Sequence, residues 1–67
     1  MPSSGQAGDG KIYVEFVTQG SVVKVTAIDP ASGIEASIMG PSGASRVALS
    51  DAAVRKLRYL QQKKSGG

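Results

Sequence analysis

The chain has no cysteine, no histidine and no tryptophan among its 67 residues. Without cysteine or histidine it lacks the usual ligands of zinc, haem and iron–sulfur centres. It also lacks the thiol nucleophile and the side chain most often used for acid–base chemistry near neutral pH. No disulfide can staple the fold, which fits a reducing compartment. Aromatic residues are sparse, two Tyr and one Phe, so any core has to be built from aliphatic side chains. Asp and Glu number five against eight Lys and Arg, a net charge of +3. That mild excess permits an anionic partner without requiring one. No run approaches the ~20 apolar residues that span a bilayer. The opening Met1-Pro2-Ser3-Ser4-Gly5-Gln6-Ala7-Gly8-Asp9-Gly10 has neither a basic n-region nor an apolar h-region. No secretory signal is therefore expected, and a cytoplasmic protein is the default.

What is present is one small domain. A chain this short buries only about 60% of the surface that its unfolded form exposes, so its core must be thin. Residues 1–10 are Gly, Ser and polar residues and are expected to be disordered, as is the Lys-Lys-Ser-Gly-Gly end over residues 63–67. The folded unit is expected over residues 11–62, without internal repeats.

Lys11 to Thr18 alternates, with Ile12, Val14 and Phe16 on one side and Tyr13, Glu15 and Val17 on the other, the period of a strand. Val22 to Ile28 alternates in the same way, with Val23, Val25 and Ala27 on one side. Gln19-Gly20 reads as a two-residue hairpin loop in which glycine accepts a positive φ. That loop predicts Phe16 opposite Val23, Glu15 opposite Lys24 as a cross-strand ion pair, and Val14 opposite Val25. Asp29-Pro30-Ala31-Ser32-Gly33 reads as the next turn, pairing Asp29 with Ile34, Ala27 with Ala36 and Val25 with Ile38. The third strand is expected over residues 34–39. Gly40-Pro41-Ser42-Gly43-Ala44-Ser45 then breaks the pattern as a loop. Ser50 reads as a helix N-cap, with Asp51 at the positive end of the helix dipole and Leu49 and Val54 at staple spacing. Ala53, Val54, Leu57 and Leu60 form one helical stripe. The expected fold is α+β: a three-stranded antiparallel meander, order 1-2-3, with a C-terminal helix packed on one face (βββα).

No pattern of residues marks a catalytic site, and the chain is not expected to be an enzyme. Asp9, Asp29 and Asp51 fall in a tail, a turn and a helix start, while Glu15 and Glu35 sit on different edge strands. No carboxylate pair is placed to divide acid and base roles. Residues 40–46 lack the spacing of a phosphate-binding loop, and residues 47–49 are expected to separate them from the helix. No metal or other cofactor is called for.

Three surfaces can bind. The first is the outer sheet face, where Tyr13, Val17, Val22, Ile28 and Met39 lie among polar residues; its ordinary counterpart is a mixed surface with no partner. The second is the edge of the first strand, which has no internal proline and invites strand addition, unless a terminal segment or loop covers it. The third is the basic helix, where Arg55, Lys56, Arg58, Tyr59 and Lys63 offer cations and an aromatic to a nucleic acid; a solvated helix face accounts for the same residues. The leading expectation is a non-enzymatic protein-interaction module, binding a second copy or another protein. A nucleic-acid-binding module is the alternative.

The segments Ile12-Tyr13-Val14-Glu15-Phe16, Val23-Lys24-Val25-Thr26-Ala27-Ile28-Asp29-Pro30, Gly33-Ile34-Glu35-Ala36-Ser37-Ile38-Met39-Gly40-Pro41 and Ala53-Val54-Arg55-Lys56-Leu57-Arg58-Tyr59-Leu60 resemble a family of short, uncharacterised alphaproteobacterial proteins. The resemblance covers nearly all of the expected domain. It implies a bacterial cytoplasmic protein and transfers no functional residue. By fold analogy alone, sheets of this kind also occur in some DNA-binding modules. Here the outer face offers one Lys against two Glu, a poor surface for phosphate.

Overall fold

The computed structural model describes residues 11–66 of the chain; the tail expected over residues 1–10 lies outside them, as does Gly67. Three strands, β1 (Tyr13–Gln19), β2 (Val22–Asp29) and β3 (Ile34–Pro41), form an antiparallel sheet in the order β1-β2-β3, and one helix, α1 (Arg46–Gly66), follows them. This is the expected βββα arrangement. The helix is longer than expected at both ends, since its backbone runs through residues 63–66 as well.

The second hairpin has the expected register, with Asp29 opposite Ile34, Ala27 opposite Ala36 and Val25 opposite Ile38. Its turn is held by the Asp29 side chain, which accepts the Ala31 N–H at 3.0 Å and the Ser32 hydroxyl at 3.2 Å. Gly33 leaves the turn at φ 75° and donates its N–H to the Asp29 carbonyl at 2.8 Å.

The first hairpin is shifted by two residues from the expected pairing. Its loop is Gly20-Ser21, so Gln19 faces Val22, Val17 faces Lys24, Phe16 faces Val25, Glu15 faces Thr26 and Val14 faces Ala27. Gly20 takes φ 62°, and no non-glycine residue among those described has a positive φ. A positive φ at the first loop position alone is the type II′ pattern. A Gln19-Gly20 loop, which places Gly20 second, forces Gln19 to a positive φ instead. A shift of two preserves every residue's face. It does remove the directly opposed Glu15–Lys24 pair.

β3 extends to Pro41, past the end expected at Met39. The Ser42 N–H donates to the Ser21 carbonyl at 2.9 Å, so odd-numbered residues of β2 direct their backbone groups toward β3. Pro41 faces Val22, so its nitrogen points away from β2, where a missing N–H costs no ladder bond.

The helix starts at Arg46, capped by Ser45 rather than Ser50. The Ser45 hydroxyl accepts the Ala48 N–H at 3.2 Å, and the Leu49 N–H donates to the Ser45 carbonyl at 3.0 Å. Leu49 therefore extends the apolar stripe one turn backward (Leu49, Ala53, Leu57, Leu60) instead of acting as an external staple, and Asp51 lies in the second turn. Residues 47–49 do not separate loop from helix; the loop opens directly into it.

The core is Val23, Val25 and Ala27 of β2, Ala36 of β3, and Leu49, Ala53 and Leu57 of α1. Ala27, Ala36 and Ala53 are small, and so let the helix backbone approach the sheet. Gly40 does the same at the end of β3: a Cβ there would sit 2.6 Å from the Leu49 side chain.

Leu57 is fully buried. Leu57→Ala should therefore cost ~2–5 kcal/mol, enough to abolish a cooperative thermal transition in a domain this small. An unchanged melting temperature would exclude the helix-on-sheet core. Gly40→Ala should destabilise the chain by about 1–3 kcal/mol through overpacking, and by less in a Leu49→Ala background. A double-mutant cycle with no coupling would contradict the close approach.

Candidate interaction surface

The outer sheet face is organised in four rows across the strands. They are Tyr13–Ile28–Glu35, Glu15–Thr26–Ser37, Val17–Lys24–Met39 and Gln19–Val22–Pro41. Three of the four carry large apolar side chains. Tyr13 is 56% exposed, Val17 51% and Met39 61%. Val22 is also exposed, whereas Ile28 is half-buried on the same face. The structure thus brings together all five residues expected there. The second row is polar and internally satisfied, because the Thr26 and Ser37 hydroxyls lie 2.8 Å apart in a hydrogen bond. Glu15 and Glu35 fall in different rows, and among the described residues no three acidic side chains gather as a metal site.

The two sheet edges differ. On β3, Thr26 opposes Ser37, and even-numbered residues of β2 direct their backbone groups toward β1. The Ser37 carbonyl consequently points outward, and the Lys56 ammonium donates to it at 2.8 Å. Pro41 removes one outward donor from the same edge. On β1, odd-numbered residues bond to β2, so the backbone groups of Val14, Phe16 and Thr18 point outward. β1 contains no proline. Among the described residues, no side chain bonds to these groups.

The inner face of β1 is also incompletely covered. α1 packs along β2 and β3 and leaves Ile12, Val14 and Phe16 half-buried against the rim of the core. Arg46 reaches back from the first helical turn, with its guanidinium carbon 4.6 Å from the centre of the Phe16 ring, a cation–π contact. Phe16, Arg46, Val47, Ser50 and Asp51 line an open cleft of about 280 Å³ between β1 and the helix. The cleft depends on the helix starting at Arg46, a turn before the start at Ser50 that the sequence pattern favours. The signal for it was Leu49, four residues before Ala53 on the apolar stripe.

The basic residues are exposed along α1, but they do not form one free patch. Lys56 is committed to the β3 edge, and the Lys63 ammonium lies 5.9 Å from the centre of the Tyr59 ring. Arg55, Arg58 and Tyr59 face solvent.

The chain is an α+β domain of three antiparallel strands and one C-terminal helix, with the helix on one sheet face and the other face exposed. The chain matches the family described as Domain of unknown function (DUF6898) over residues 9–64, and it belongs to that family. No curated protein and no solved structure matches it. No described helix is long and apolar enough to cross a membrane.

The exposure of Val17 and Met39 carries a direct expectation. Val17→Lys with Met39→Lys should leave stability within about 0.5 kcal/mol of the parent chain, as for most surface changes. A large loss of stability in denaturant unfolding would show that this face is covered.

Proposed function

We propose that the domain is a non-enzymatic protein-interaction module acting in the bacterial cytoplasm, with a contact surface made of the outer sheet face and the β1 edge. The observation that supports this most is the asymmetry of coverage. The helix and Lys56 protect one face and the β3 edge, while Tyr13, Val17, Val22 and Met39 stay exposed on the other face beside an unguarded strand. Exposed apolar clusters rimmed by polar residues mark contact sites, and open edges accept strands. The lack of cysteine is compatible with a reducing compartment such as the cytoplasm.

Copurification of the tagged chain with its Val17→Lys/Met39→Lys variant and with Tyr59→Lys as the control tests the proposal. The expected outcome is a protein partner retained by Tyr59→Lys and lost with the sheet-face variant. An identical set of copurifying proteins for all three chains would contradict the sheet face as the contact. Nucleic-acid binding by the basic helix has less support, because Lys56 bonds the β3 edge and Lys63 lies over Tyr59, so three of its five residues already make contacts. Titration with DNA or RNA at low salt is expected to leave the Arg55, Arg58 and Tyr59 amide resonances unmoved. A salt-dependent shift confined to them would favour the nucleic-acid reading.

A further inference from the structure

We propose that the open edge of β1 pairs with β1 of a second copy of this chain, antiparallel about a two-fold axis at Val14, to give a continuous six-stranded sheet. This rests on the interaction reading above and names its partner. The first argument is coverage. α1 lies over β2 and β3, so Ile12, Val14 and Phe16 form an apolar strip that its own helix leaves half-covered. A second copy joined edge to edge places an identical strip alongside, flanked by its own helix. The six side chains then fill the valley between two helices on one sheet face.

The second argument is register. The outward backbone groups belong to even-numbered residues, so a two-fold at Val14 forms the reciprocal pair of hydrogen bonds between Val14 and its copy. On the inner face this register opposes Ile12 with Phe16 of the second copy. On the outer face it opposes Tyr13 with Glu15 and sets Lys11 diagonal to Glu15, a charge-complementary contact made twice. Registers shifted toward the C-terminal end of β1 are worse. A two-fold at Glu15 brings two carboxylates face to face. At Phe16 it opposes Val14 with Thr18 and Ile12 with Gly20, leaving part of the strip unpaired. The edges also differ: on β3 Lys56 occupies the Ser37 carbonyl and Pro41 removes one outward donor, whereas among the described residues no side chain bonds the outward groups of β1. Unguarded edges of this composition pair with other strands.

The test uses the full chain. Sedimentation equilibrium should show a mass rising from one chain to two as concentration approaches millimolar. Tyr13→Cys and Glu15→Cys, made separately, each introduce the sole thiol of a chain that has none. Both positions are exposed, so folding is expected to be unaffected. In the proposed register residues 13 and 15 of opposite copies form a non-hydrogen-bonded pair with Cα atoms about 4.5 Å apart, within reach of a disulfide. A mixture of the two variants should therefore oxidise to a linked pair faster than either variant alone. A mixture no faster than its components would overturn the register. A dimer that cross-links through Met39→Cys instead would overturn the edge pairing while leaving the sheet face as an interaction surface. A chain that stays monomeric at millimolar concentration would overturn self-pairing, and the copurification above would then decide the broader reading independently.

Discussion

Everything in this fold depends on where the single helix is tethered. Besides the core packing of Ala53 and Leu57 and the Arg46–Phe16 contact to β1, three contacts tether α1 on the β2–β3 side. Near its start Leu49 sits over Gly40, at its middle Lys56 binds the Ser37 carbonyl, and toward its end the Gln61 amide donates to the Asp29 carboxylate and the Ser32 hydroxyl in the β2–β3 turn. The helix therefore runs back along β3. At ~1.5 Å per residue its 21 residues exceed the length of an eight-residue strand, and Ala36 of β3 is buried beneath it while Ile34 and Ile38 stay partly buried. β1 receives what is left, a partial cover on its inner face and, among the described residues, no side-chain bond along its edge.

The small residues explain why so little material suffices. Ala27, Ala36 and Ala53 bring helix and sheet close, so that Val23, Val25 and Leu57 can be excluded from water in a chain with one phenylalanine. Close approach over two strands has a geometric consequence: a helix tethered over β2 and β3 leaves the outlying strand at its margin. The stability of the core and the exposure of the outer face thus have one origin. The tethers that build the core also leave Ile12, Val14 and Phe16 at its rim and the outer face open.

Much of this was legible in the sequence because period-2 alternation assigns faces whatever the register. The five outer-face residues fall where alternation puts them, and the Asp29-Pro30-Ala31-Ser32-Gly33 turn fixes the second hairpin through its own side chains. The first hairpin was less legible. Gln19-Gly20 and Gly20-Ser21 both keep every face correct, and only the φ sign that each demands of a non-glycine residue separates them. The helix start was misplaced because Ser45 and Ser50 are both competent caps. What decided between them was the chance for Leu49 to enter the core over Gly40, a contact between residues nine apart that local pattern does not reveal. The commitment of Lys56 to the β3 edge was likewise invisible, since it depends on the helix's position over the sheet.

The central claim is that β1 has a free edge, and amide hydrogen exchange along that strand tests it most directly. In dilute solution the Glu15 and Val17 amides, bonded to β2, should be protected, while those of Val14, Phe16 and Thr18 should exchange rapidly. Equal protection of Val14 and Phe16 with Glu15 and Val17 at dilution would contradict the account, because it would mean that the edge is already covered within the single chain.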